Sequence, residues 1–363
     1  MLVLTADKSA VNLHTPDHAV HALLCLHRNP LPARAVVLTP MTGAAMPDMR
    51  AYTARPGFTH PTLDTRPMPA PGPEEVLIRV LGVALNNGDL SAVDRPQIPG
   101  FEFAGEVTVA GARVPSQLVG QLVMGITTGA FAEYVVAHHR HVVPIPPGLD
   151  APTAATLPTA LTTEYGAVRR AGVQDGDTVL ITAATSAIAV MGLQVARHLG
   201  ASTVIGSTRN ASRRAFLTGA GADHVIVTST DDLAETTRSL TGGRGVDVVL
   251  DHIGGNMVDQ AIAAARVGGT VISVGRLASG RADIDLFALA RRQVQLQSVS
   301  YGLTPPEVLG ELLDGVTADL LPGVVDGSIT PRVDSIHPFD QLAAAMARLR
   351  SGRADGKVAL TLV

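Results

Sequence analysis

The spacing of apolar and polar positions changes character near Ala151. Before it, short apolar runs are separated by glycine and proline turns. After it, short apolar runs alternate with stretches of helical spacing. The sharpest alternation spans Thr178 to Arg209. Thr178 to Ala184 is an apolar run rich in β-formers, entered from the turn signal Gln174-Asp-Gly-Asp177, and it predicts a strand buried on both faces. From Ala187, the residues Ile188, Met191, Leu193, Val195 and Leu199 fall at roughly helical spacing, and Gly200 supplies the stop. Thr203 to Ser207 is apolar again. Two strands joined by a crossover helix must run parallel, so the stretch is one βαβ unit.

The pattern then repeats. Helices are expected at Ala211 to Gly219, Asp231 to Leu240, Met257 to Arg266 and Asp285 to Arg292. Strands are expected at His224 to Val227, Val246 to Ile253, Thr270 to Gly275 and Gln293 to Ser300. Six strands alternating with helices specify a doubly wound parallel sheet, which binds ligands at its carboxyl edge. Asp251-His-Ile-Gly-Gly255 and Val274-Gly275 lie on that edge with the first turn. A helix at Pro305 to Leu320, another at Pro338 to Arg350 and a strand at Lys357 to Val363 close the chain. The earlier half predicts a β-rich domain, with segments at Arg50 to Ala54, Glu75 to Leu85, Pro99 to Val107, Gln121 to Gly125 and Gly129 to Val136. Residues 1–48 show no clear periodicity and read as a poorly ordered extension, with the folded unit starting near Met49.

Composition narrows the partners. The 363 residues allow two domains. A net charge of -4, no tryptophan and four tyrosines give no basic excess and no stacking platform for nucleic acid. Cys25 is the sole cysteine, which excludes a disulfide framework and a cysteine-rich zinc site. No apolar run reaches membrane-spanning length, and the patch Ala22 to Leu26 lacks the basic start and cleavage pattern of a signal peptide. The expected compartment is the cytoplasm.

Candidate chemistry attaches to the first turn. The small residues Ala183 to Ala189 bring free helix amides to the strand end, where a pyrophosphate binds. A dinucleotide fingerprint wants G-x-G-x-x-G, whereas this loop reads Ala184-Thr-Ser-Ala-Ile-Ala189, with Gly192 the one glycine in reach. Alanine replaces glycine where a methyl group fits, but not where φ must be positive. Taken alone, the loop fits a dinucleotide site and a plain buried βαβ unit equally. The tip of the second strand shifts that balance: Ser207, Thr208 and Arg209, then Ser212, Arg213 and Arg214, include no acid. An acid there would accept from a ribose 2′-hydroxyl, whereas arginine accommodates a 2′-phosphate, which favours NADPH over NADH. The alternative is a solvated helix start, the favoured reading for Arg214.

Several segments together resemble the medium-chain dehydrogenase/reductase family, in its zinc-free, quinone-oxidoreductase-like branch. They are Met49-Arg-Ala-Tyr, Glu75 to Val80 before Asn86-Asn-Gly-Asp89, Pro99-Gly-Phe-Glu-Phe-Ala-Gly105, Gly129 to Tyr134, Leu157-Pro through Thr163-Glu-Tyr165, Gly221 to Val225, Val246 to Asp251 and Gly356-Lys-Val358. The resemblance runs from Met49 to Val363. It implies an α/β fold with a GroES-like β-barrel catalytic domain over 49–166, completed by 303–363, and a Rossmann NADPH-binding domain over 167–302. Zinc-dependent members carry a cysteine at the strand end occupied here by Asn86 to Asp89, and a four-cysteine lobe. Neither is present, so zinc of that type is not expected. His138, His139 and His141 read as a solvated turn.

The resemblance also places site residues. Thr185, Ser186, Ala187, Ile188 and Ala189 are expected at the pyrophosphate, although Ala187 and Ala189 stand where the family commonly has glycines. Ser207, Thr208, Arg209 and Arg213 are expected at the 2′-phosphate, and the Gly275 backbone beside the nicotinamide. Asn86, Asp89 and Thr163 are implied to line the cleft near it. Asn86 is equally well read as a strand-end cap, and Asp89 is better read as a structural hydrogen-bonder than as an acid. Tyr165 is the best-placed candidate acid, with packing the favoured alternative. Without a zinc Lewis acid, reduction of an activated acceptor is more plausible than oxidation of an alcohol: a quinone, or the C=C bond of an enone or enoyl thioester. A non-catalytic NADPH-binding sensor or structural subunit remains open. A methyltransferase is disfavoured by the β-rich half and the arginine tip. The partners expected are a small-molecule substrate, no nucleic acid, no membrane, and a second copy of the chain, paired through the edge strand Gln293 to Ser300.

Overall fold

The structure, a computed structural model, describes residues 2–6, 9–13, 47–302 and 304–362. It divides into two compact units. The first comprises Met1–Pro158, Ser335–Arg353 and Val358–Val363, and the second Thr159–Asp334 and Ala354–Lys357. Near the N-terminus, β1 (Leu2–Ala6) and β2 (Ser9–Leu13) pair antiparallel. What is expected of the rest of 1–46 lies outside the described residues.

The first unit is antiparallel. β3 (Asp48–Thr53) pairs with β4 (Thr62–Pro67). The ten-residue β5 (Glu75–Ala84) pairs with β6 (Glu102–Ala110), which pairs with β7 (Leu122–Ile126). β8 (Tyr134–His138) joins β5, and β9 (Val142–Pro144) joins β7. Val76, Ile78, Val83, Phe103, Met124 and Phe131 are shut away from solvent, each contributing about 1.5–3 kcal/mol over an exposed position. A short helix, α1 (Ala151–Ala154), rests on β5 at Gly82, where a Cβ would come within 2.7 Å of the Pro152 backbone.

The second unit opens with α2 (Pro158–Ala171) and continues as β10 (Thr178–Ile181), α3 (Ala189–His198), β11 (Thr203–Thr208), α4 (Arg214–Gly219) and β12 (His224–Val227). It carries on through α5 (Leu233–Leu240), β13 (Val246–Asp251), α6 (Met257–Ala264), β14 (Ala265–Ser273), α7 (Leu286–Arg292) and β15 (Gln295–Ser298). The six strands are parallel, in the order β12-β11-β10-β13-β14-β15. Every residue of β10 and β13 is buried, as central strands covered on both faces require. Leu180, Ile205, Val246, Val249, Ile262 and Val271 form part of the continuous core beneath them.

Several expected boundaries move. The first strand ends at Ile181 rather than Ala184, because the chain turns left-handed at Ala183, with φ of 46°. The last strand loses Gln293, whose φ of 54° closes α7. The helix expected at Pro305 to Leu320 is α8 (Pro306–Gly315), a π turn over Val316–Leu320, and α9 (Leu321–Asp326). Pro322 offers no N–H and would clash with the carbonyl four residues back, and the wider turn accommodates it. Residues 159–166 and 304–334, assigned from sequence to the barrel domain, fall in the second unit, where Gln194 on α3 accepts from Thr330 N at 2.7 Å. The chain ends with β16 (Val333–Pro338), α10 (Leu342–Arg350) and β17 (Lys357–Thr361). Within β17, Ala359 to Thr361 pair with β5.

Candidate functional site

The sheet of the second unit changes direction between β10 and β13, and the crevice outside their carboxyl ends is where such sheets hold ligands. Three turns are tied together there. Thr182 Oγ1 donates to Asp251 Oδ1 at 2.7 Å and accepts from His252 N at 2.9 Å. Val274 N and Gly275 N both donate to Asp251 O. A Cβ at Gly275 would lie 2.3 Å from His252 O, so only glycine permits this approach.

The turn leading into α3 answers the question raised by its missing glycines. Neither Ala187 nor Ala189 has positive φ; the left-handed residue is Ala183, which as an alanine pays about 1 kcal/mol for it. Ser186 Oγ accepts from Ala189 N at 3.3 Å, and Ser186 O accepts from Val190 N at 2.9 Å. The N–H groups of Thr185, Ala187 and Ile188 find no partner among the described residues, and all three residues are only half-buried. Unpaired amides at a helix start are what an anionic oxygen binds.

At the end of β11, Ser207 and Thr208 are buried, and Ser207 Oγ is enclosed without a hydrogen-bond partner among the described residues. Arg209 is exposed and has no partner among the described residues. Arg213 differs: it pairs with Asp355 at 2.6 Å and lies 4.4 Å over the Phe216 ring. Arg214 donates to Val225 O at 2.6 Å and lies 3.6 Å from Asp231.

On α2, Thr163 is half-buried. Tyr165 is buried, and its hydroxyl donates to Asp319 Oδ2. Burial and this acceptor raise the phenol above its usual range. Between them in sequence is a residue given no role above. Glu164 is wholly buried, with Oε1 3.2 Å from Nε2 of the buried His252. The contact has ion-pair geometry, yet burial raises the carboxyl well above its usual range and lowers the imidazole to about 3, so the neutral forms prevail. The sequence signal was a lone acid within the apolar face of a helix.

In the first unit, Asn86 and Asp89 are together. Asn86 Nδ2 donates to the buried Glu102 Oε1 at 2.8 Å. Asp89 accepts from Asn86 N at 2.7 Å and from Gly100 N at 3.2 Å. Its side chain therefore ties the strand end to the following loop, beside a cavity of about 470 Å³ also lined by Phe58, His60, Leu90, Met346 and Arg350. His138 stacks on His139 at 4.7 Å. Among the described residues no three histidine, cysteine or acidic side chains are grouped to hold a metal ion, and no helix is long and apolar enough to cross a membrane.

Comparison with known proteins is consistent with this architecture. Residues 72–147 match the alcohol dehydrogenase GroES-like domain, and residues 187–317 match the zinc-binding dehydrogenase domain. The human synaptic vesicle membrane protein VAT-1 homolog is 31% identical over 333 residues, which cover 84% of each chain. The spectinabilin polyketide synthase system protein NorB of Streptomyces orinoci is 31% identical over 303 residues, 81% of this chain but 13% of that protein. The chain thus spans a small part of the polyketide synthases it matches. A mycobacterial quinone oxidoreductase structure superposes with a TM-score of 0.77 at 26% identity, covering 86% of this chain and 99% of that one. A mycobacterial structure complexed with NADPH does so with 0.76 at 28% identity, covering 86% and 99%. The α/β fold is therefore a GroES-like domain with a Rossmann-type parallel sheet, and the chain belongs to the medium-chain dehydrogenase/reductase family, in its quinone-oxidoreductase-like branch.

Proposed function

We propose that the protein is an NADPH-dependent oxidoreductase that reduces an activated acceptor, a quinone or the C=C bond of an enone or enoyl thioester, without zinc. The observation that carries the reading is a pair of features on one sheet edge that find no partner among the described residues: the amides of Thr185, Ala187 and Ile188, and Arg209 at an acid-free strand tip. The amides suit a pyrophosphate and the guanidinium a 2′-phosphate. Thr208 and the Ser207 hydroxyl lie beside Arg209 in this reading, and Arg213 supports the tip through its stack on Phe216. Bound NADPH supplies the hydride. The chain's own work is to place it: in this reading the backbone at Gly275, close against His252 after β14, and Thr163 on α2 are assigned to the nicotinamide.

The donor set does not suit zinc. The strand end carries Asn86 and Asp89 instead of a thiolate, and both Asp89 oxygens accept from backbone amides. Asn86 and Asp89 are then structural residues of the first unit, and Tyr165, whose hydroxyl is committed to Asp319, is not assigned as the proton donor. An acceptor that takes its proton from solvent suits such a site. The sensor alternative rested on the substituted loop, and loses that support because neither Ala187 nor Ala189 needs positive φ. Pairing of two copies through β15, in a cytoplasmic enzyme, completes the proposal.

The test is loss of NADPH absorbance over a panel of quinones, enones and enoyl thioesters, with and without a strong chelator. Turnover on at least one class, unaffected by the chelator, is expected. No turnover on any class would refute the reading, and zinc-restored activity after chelation would refute its metal-free part.

A further inference from the structure

The Glu164–His252 contact has no part in the reading above, yet it is built into the same edge. The two side chains are 0% and 4% exposed, and Oε1 lies 3.2 Å from Nε2. Among the described residues neither Glu164 oxygen nor His252 Nε2 makes a well-aligned hydrogen bond. Glu164 Oε2 rests against α3 at Gly192, where a Cβ would come within 2.4 Å of it. Among the described residues Glu164 has no other ion-pair partner.

The backbone of His252 is equally constrained. Its N–H donates to Thr182 Oγ1, and its carbonyl packs against Gly275. Asp251, the residue before it, spends its carboxylate on Thr182 and on the amides of Ile253 and Gly254. The His252 ring thus links the 251–254 turn to α2 through Glu164, while its backbone N–H holds the same turn to Thr182.

We infer that Glu164 and His252 are a positioning pair for the nicotinamide half of the cofactor, fixing the turn after β13 while the pair keeps its one acidic proton. The inference rests on the cofactor reading above. Loss of that proton would leave a carboxylate sealed beside a neutral imidazole, a net buried charge that the chain relieves only by moving the turn or admitting water. Other titratable groups near the pair cannot supply the compensation. Tyr301, pushed up to about 12 by burial and acted on by Glu164, stays neutral, and Arg170 acts on Tyr301. Asp251 already has its carboxylate oxygens committed to the Thr182 hydroxyl and to the amides of Ile253 and Gly254. Because the carboxyl is raised and the imidazole lowered to about 3, the pair stays neutral on the acid side and fails on the alkaline side.

The experiment measures dissociation constants of the full chain for NADPH and for 2′,5′-ADP, which lacks the nicotinamide, from about pH 6.5 to about pH 10. For the wild-type protein, NADPH should lose affinity relative to 2′,5′-ADP on the alkaline limb. Glu164→Gln keeps a donor for Nε2 and cannot ionise, so it should bind NADPH normally at neutral pH and flatten that limb. His252→Leu should lower the NADPH to 2′,5′-ADP affinity ratio by about tenfold across the range. In the wild-type protein, imidazole ¹⁵N shifts, assigned by difference from His252→Leu, should show a neutral ring whose Nε2 carries no proton at neutral pH, a readout that does not depend on Glu164→Gln folding. An alkaline limb unchanged in Glu164→Gln, a ratio unchanged in His252→Leu, or a protonated His252 at neutral pH would overturn the inference while leaving the cofactor reading intact. Binding of neither ligand by the wild-type protein would overturn both.

Discussion

The hydroxyl of Tyr165 lies 2.7 Å from Asp319 Oδ2, an acceptor contributed by the π turn 154 residues further along the chain. Arg169 donates to the same oxygen and lies over the Tyr165 ring. The phenol proton is therefore held by a carboxylate that gains nothing by releasing it. Tyr165→Phe should keep turnover within about threefold and lower stability by about 0.5–1.5 kcal/mol. Steady-state kinetics and a denaturant titration measure both. A hundredfold fall in kcat without a change in stability would make Tyr165 the acid after all.

The two arginines at the β11 tip should behave differently. Arg209 has no partner among the described residues, whereas Arg213 is held by Asp355 and Phe216. Arg209→Ala is expected to weaken NADPH binding by about 1.5–3 kcal/mol and leave NADH nearly unchanged. Arg213→Ala should cost less in binding. Calorimetric titration of both variants with both cofactors decides this, and a wild-type protein that bound NADH as tightly as NADPH would remove the assignment.

Asp247 gives an acid-side prediction. Its side chain is 6% exposed; burial raises its pKa, but donation from Thr178 N at 2.9 Å and from Arg266 outweighs that and holds the carboxyl below its usual value. A depressed folded value means stability that is present above the unfolded pKa and lost as pH falls through the folded one. Asp247→Asn should therefore be less stable than wild type by about 1.5–3 kcal/mol at neutral pH, with the gap closing as pH falls below the unfolded carboxyl value of about 3.9 and through the lower folded one. Urea unfolding at several pH values tests the sign. A gap that widened in acid would contradict it.

β15 has a neighbour on one side only, and Leu296 at its centre is 38% exposed, with Leu286 and Phe287 on α7 at 71% and 75%. An open edge beside bare apolar side chains calls for cover by another strand. Light scattering at micromolar concentration should give the mass of two chains, and Leu296→Lys should move it toward one. A wild-type monomer would end the proposal; a dimer indifferent to the charge would place the interface elsewhere.

Most of the sheet was legible in the sequence because β10, β11, β12 and β13 are short, largely apolar runs bounded by turn residues, and these runs needed no knowledge of their neighbours. The same holds for the acid-free tip at Arg209, which is a statement about local composition. What escaped depends on contacts between distant residues. Nothing in the surroundings of Glu164 names His252 as its partner, 88 residues away, and Ala183 carries no mark of its left-handed backbone. The run before Leu320 has good helical spacing, so the widened turn is visible only when Pro322 is followed back to the carbonyl it would strike.

Gly192 and Glu164 occupy one volume from two helices, since a methyl group on Gly192 would fall on the glutamate's Oε2. Bulk at either position is therefore an instruction to the other. Gly192→Ala alone should be poorly tolerated, whereas Gly192→Ala combined with Glu164→Ser gives back the space it takes. In a directed-evolution library the two positions would be accepted or rejected together, as a single unit of selection split between α2 and α3.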